Sequence, residues 1–96
     1  MPHYIILLNW TDQGIRNVKQ TTKRAEAARR MAEEAGGKLQ LFYTLGEYDA
    51  VGVAEMPNDE AAMRFLLTLG SLGNVRSTTL KAWTEAEEAK IVSQLP

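Results

Sequence analysis

The stretch KLQLFYTLGEYDAVGVAEM, Lys38 to Met56, decides the fold. Lys38–Leu45 and Tyr48–Met56 each read as a strand. Gly46-Glu47 between them fits a two-residue hairpin loop with glycine at the first central position. A hairpin fixes register, and directly opposed residues share a sheet face. With Leu45 opposite Tyr48, Tyr43 meets Ala50, Leu41 meets Gly52 and Leu39 meets Ala54, an apolar set throughout. The other face pairs Lys38 with Glu55, Gln40 with Val53, Phe42 with Val51 and Thr44 with Asp49. The opposite charges of Lys38 and Glu55 agree with that alignment, and a slip of one residue would exchange the faces.

Outward from the hairpin, the flanking segments complete a pattern. His3–Trp10 is rich in β-branched and aromatic residues and reads as a buried strand. Thr11 or Asp12 then offers a helix cap, with a short helical turn over Asp12–Lys19 and a bend near Thr21 and Thr22. Ala25, Ala28, Ala32 and Ala35 recur at helical spacing within Thr22–Ala35, and Gly36-Gly37 ends that helix. On the other side, Pro57-Asn58-Asp59 stops the strand and opens a helix from Asp59 to Leu72. Its apolar stripe is Ala62, Phe65, Leu66, Leu69 and Leu72. Val75–Trp83 reads as a fourth, more polar strand at a sheet edge. Thr84 caps a last helix to about Gln94, with Glu85, Glu87 and Glu88 at its positive end.

The order β-α-β-β-α-β plus a terminal helix is that of a ferredoxin-like α+β domain with an antiparallel four-stranded sheet ordered 4-1-3-2. Right-handed crossovers put both main helices on one face. The wholly apolar hairpin set belongs under them. The other face carries Phe42, Val51 and Val53, joined by His3, Ile5, Leu7 and Asn9 of the first strand, and stays open. So much apolar area predicts cover by a second subunit's sheet. The expected assembly is a dimeric α/β barrel, a homodimer or a higher homo-oligomer, with a cavity between its sheets for a small molecule.

Composition narrows the function. The chain has 96 residues, 45% of them apolar and 24% charged, which is one domain spanning 1–96. A domain of this size hides only roughly 60–65% of its unfolded surface, so a partner subunit would add burial. A net charge of −1 gives no basis for nucleic-acid binding. The one basic cluster, Lys19, Lys23, Arg24, Arg29 and Arg30, precedes Glu33 and Glu34 and reads as a solvated helix face. With no cysteine there are no disulfides, thiolate metal sites, Fe–S clusters or cysteine nucleophiles. The apolar run near Met1 is too short for a signal segment, and no stretch reaches membrane-spanning length. A cytoplasmic protein without a membrane partner is expected.

LGEYDAVGVAEMPND, Leu45 to Asp59, resembles the signature of the GYD-domain family, with Gly46, Tyr48 and Asp49 as its namesake residues and Glu47 interposed. WTDQGIRNVK, Trp10 to Lys19, resembles that family's first-helix region. The resemblance covers most of the chain. It implies membership of the dimeric α/β-barrel group and carries no known activity.

The topology brings Thr44, Tyr48 and Asp49 toward Asn9, Trp10 and Thr11, with Gln13 and Arg16 at the start of the first helix. A carboxylate, a phenol and a positive helix end together could bind a ligand or move a proton. Equally, Asp49 could accept backbone N–H bonds or pair with Arg16, and Tyr48 could belong to the core. The candidate ligand-binding set is Asn9, Thr11, Arg16, Thr44, Tyr48 and Asp49. His3, the only histidine, should lie at the opposite end near Glu55. One histidine makes no metal site, and no cofactor is expected. Trp10 and Trp83 read as anchors at strand ends. Three functions remain open: a small-molecule binder, a cofactor-independent enzyme (isomerase or oxygenase-like) using Asp49 or His3 as base, and a non-catalytic assembly module.

Overall fold

The alternation along β1 (His3–Trp10) divides the molecule into two sides. Tyr4, Ile6 and Leu8 are buried, while Ile5 and Leu7 between them are only half-buried. In the computed structural model, which describes all of residues 1–96, β1 is followed by α1 (Asp12–Arg16), a 3₁₀ turn (Val18–Gln20) and α2 (Thr21–Glu34). Then come β2 (Lys38–Tyr43), β3 (Ala50–Glu55), α3 (Asp59–Ser71), β4 (Val75–Ala82) and α4 (Glu85–Ser93). The strands form one antiparallel sheet ordered β2-β3-β1-β4. This is the ferredoxin-like arrangement expected from the sequence.

From Lys38 to Tyr43 the register matches the hairpin reading: Leu39 opposes Ala54, Leu41 opposes Gly52 and Tyr43 opposes Ala50. That face lies beneath α2 and α3. The core joins Tyr4, Ile6 and Leu8 to Ala50, Ala54 and Met56 from the sheet side, Ala32 from α2, and Ala62 and Phe65 from α3. Burying a side chain such as that of Phe65 stabilises the fold by roughly 1.5–3 kcal/mol.

The hairpin tip departs from the expected tight loop. Pairing ends at Tyr43 and Ala50, and residues 44–49 form a longer connection. The amide of Thr44 still donates to the Asp49 carbonyl at 3.0 Å. The Asp49 amide, however, donates to Leu8 in β1 at 2.9 Å, and the Thr44 hydroxyl donates to the Tyr48 carbonyl at 2.5 Å. Local side-chain and cross-strand partners thus replace the last hairpin bonds. Gly46 in this connection has a positive φ, 114°, which glycine adopts freely.

Helix ends follow their cap residues. Thr11, Asn58 and Thr84 accept hydrogen bonds from backbone N–H groups at the starts of α1, α3 and α4. Gly36, at φ 86°, and Gly37 close α2 by donating to Glu33 and Ala32, the pattern that a left-handed residue permits. Gly14 is needed for a different reason. A Cβ there would stand 1.9 Å from the Asn74 carbonyl oxygen, so only glycine lets α1 approach the α3–β4 loop.

α4 stands apart. None of its residues is buried, and Ile91, Val92 and the nearby Trp83 are exposed. The molecule is correspondingly long, 52 × 30 × 17 Å. No helix is long and apolar enough to cross a membrane.

Candidate functional site

At the hairpin end, β1 leaves the sheet beside the β2–β3 connection, and four of the expected site residues meet there. The Asn9 amide donates to the Glu47 carbonyl at 2.8 Å. The Trp10 backbone N–H donates to the Asp49 carboxylate at 2.9 Å, and the Thr44 hydroxyl holds the Tyr48 carbonyl. Asn9, Thr44, Tyr48 and Asp49 are therefore linked through backbone groups. One Asp49 oxygen is engaged with the end of β1, and the other makes no hydrogen bond.

Thr11 and Arg16 turn elsewhere. The Thr11 hydroxyl donates to the Gly73 carbonyl at 2.5 Å and accepts from the Gly14 amide at 3.0 Å. Gln13 joins this tie, donating to the Leu72 carbonyl and to the Asn74 side chain. Arg16 donates to the Asp12 carbonyl at 3.2 Å, and no carboxylate lies within 4 Å of it, Asp49 included. α1 is thereby fastened to the α3–β4 loop rather than to the hairpin.

The opposite end of the sheet carries two ionic clusters. His3 Nε2 stands 3.3 Å from Glu55, as the register requires, and its Nδ1 stands 3.9 Å from Glu87. Nδ1 is shielded from solvent and has no hydrogen-bond partner. The capping box of α4 holds the Glu87 carboxyl below the usual carboxylate range, chiefly through the hydrogen bond from the Thr84 amide. On the helix side, the Tyr4 hydroxyl donates to Asp59, which also accepts from Lys81 at 3.0 Å. Burial, with the Asp59 hydrogen bond and charge, pushes the Tyr4 phenol up to about 12. The same hydrogen bond, then that from Lys81, holds Asp59 low. The Lys81 ammonium also lies 5.9 Å from the Trp83 ring centroid, within cation–π range. The sequence does not reveal the Tyr4–Asp59 pair, because 55 residues separate its members and Tyr4 lies within a strand that reads as buried.

No three His, Cys, Asp or Glu side chains are grouped to hold a metal ion. On the open sheet face Ile5, Leu7, Val51 and Val53 are half-buried, and Phe42 and Leu80 are 49% and 51% exposed. Lys38, Gln40, Glu55 and Arg76 share that face by register. Glu87 reaches His3, whose side chain belongs to the same face, so α4 departs on that side.

An antiparallel sheet with both crossover helices on one face and an uncovered apolar side defines a ferredoxin-like α+β domain. Within that class the chain belongs to the GYD-domain family, whose model matches residues 4–92. It is also 33% identical over 84 residues to the glutamine synthetase and cystathionine beta-lyase binding protein of Thermus thermophilus, a match covering 85% of this chain and 88% of that relative.

Proposed function

We propose that this chain is a homodimeric, cytoplasmic protein-binding module that docks on an enzyme of amino-acid metabolism. The observation that carries the dimer is the uncovered apolar sheet face. Its centre is Ile5, Leu7, Phe42, Val51, Val53 and Leu80, and its ends are charged or polar. Apolar core and polar rim are the anatomy of an interface. Two such faces laid together close a barrel and leave α2, α3 and the hairpin tip with its fully exposed Leu45 on the outside. α4 supports the same reading. A helix of 9 residues with no buried side chain is marginal by itself in water, and a second subunit supplies the missing packing.

The docking role rests on the relative. That protein is named for binding glutamine synthetase and cystathionine beta-lyase, and the match spans nearly the whole of both chains. The test uses those two enzymes purified from the same cell as this chain. Binding of at least one with a Kd of about 10 µM or tighter is expected by biolayer interferometry. No binding of either at about 100 µM would overturn the docking reading and leave the dimer standing.

A small-molecule function is the second reading. It is favoured by an apolar cleft that lies on the helix side of the sheet rather than on the open face.

A further inference from the structure

We infer that the cleft between α2, α3 and the helix-side face of the sheet binds a small carboxylate with an apolar body, an aryl or short alkyl acid. This goes beyond the enzyme-docking role and concerns the opposite face of the sheet from the dimer surface.

The cavity has a volume of about 130 Å³. Ala25, Ala28 and Met31 line it from α2, Phe65 and Leu69 from α3, and Ile6, Leu8, Leu39 and Leu41 from the sheet. The lining is thus apolar on every side. An apolar cavity of about 150 Å³ accommodates a benzene-sized molecule, so one aromatic ring or a short alkyl chain is the size that fits.

The chemistry of the ends selects the ligand's charge. Of 19 lining residues 15 are hydrophobic and one is Gly52; the polar ones are Thr21, Arg24 and Asn74, each partly open to solvent. They belong to one end. Arg24 reaches Gly14 at 3.2 Å, and Gly14 lies against the Asn74 carbonyl. The guanidinium makes two hydrogen bonds, to the carbonyls of Asn17 and Gly14, and no carboxylate lies within 4 Å of it. Of its five N–H donors, most are left for another acceptor. The first turn of α2 adds no acidic residue. An apolar slot with Arg24 at its rim, held by two backbone carbonyls and paired with no carboxylate, suits an apolar anion better than an amine of the same shape.

The probe is phenylacetate, titrated into the full chain carrying Trp83→Phe. Trp10 is then the only tryptophan, and it lines the cavity, so its fluorescence reports occupancy. Saturable binding below about 5 mM is expected, with phenethylamine at least about tenfold weaker. Arg24→Gln should weaken phenylacetate about tenfold, and Arg24→Lys, which keeps the charge, should restore most of the affinity. Ala28→Met should fill the cavity and abolish binding. Amide shifts of the unaltered chain on adding phenylacetate provide a readout that needs no substitution. They should concentrate at Ala25, Ala28, Phe65 and Leu69. The proposal is overturned if neither phenylacetate nor hexanoate saturates, if the amine binds equally well, or if the shifts fall on Ile5, Val53 and Leu80. None of those results would bear on docking to an enzyme.

Discussion

Asp49 holds the exit of β1 through one hydrogen bond, from the Trp10 amide, while its own backbone amide bonds Leu8 in the same strand. Both contacts fasten the hairpin to β1 where the chain turns into α1. Asp49→Ala removes the acceptor and leaves a part-buried N–H unsatisfied, so it should destabilise the fold by about 1–2 kcal/mol in urea titration. Asp49→Asn keeps an oxygen in reach of the same N–H and should cost less than about 1 kcal/mol. A binding function for Asn9, Thr44, Tyr48 and Asp49 would show itself differently, as lost ligand retention in Asp49→Asn with nearly unchanged stability. Four of the six candidate residues, Asn9, Thr44, Tyr48 and Asp49, come together as the sequence suggested. The hairpin register placed Asp49 beside Thr44, and the topology brought the end of β1 to them. The sequence could not show that Thr11 and Arg16 would turn away, because that depends on Gly14 letting α1 press against Asn74.

At the scale of elements, α4 is the segment least supported by the body, and its start depends on a capping box. The Thr84 side chain accepts from the Glu87 amide, and the Glu87 carboxylate accepts from the Thr84 amide. Because the folded state holds Glu87 below its ordinary value of 4.5, its contribution is present above that pH and is lost as the pH falls through the lowered value. Cα chemical shifts over residues 85–93 should therefore lose helical character as the pH falls below that ordinary value of 4.5. In Glu87→Gln, which keeps an accepting oxygen but cannot titrate, that loss should be much reduced. An equal loss in both proteins would remove the capping box as its cause. The boundaries of α2, α3 and α4 were readable because glycine, asparagine and threonine stood at their ends. The hairpin tip was not, since Thr44 and Asp49 found partners outside the simple ladder. Nor was the cavity. Ala25 and Ala28 stand in the sequence only as part of a helical stripe, and what they face is set by tertiary packing.

For the whole molecule, the two sides of one sheet have different fates. One is covered by α2 and α3, and the other carries apolar side chains left half-exposed, with α4 extending on the same side. Monomers rarely expose so continuous an apolar surface. The sequence already displayed this division, because Phe42, Val51 and Val53 alternate with the residues of the helix-side face. Val51 sits near the middle of the open face, paired with Phe42 and Leu7. A lysine there would bury an unpaired charge between two sheets yet remain solvated on a single chain, so it should separate the subunits without unfolding them. Light scattering of the purified chain at about 10 µM tests the central claim most directly. The account predicts a mass of at least twice the 10.7 kDa chain for the wild type and about 10.7 kDa for folded Val51→Lys; a wild type at 10.7 kDa would contradict it.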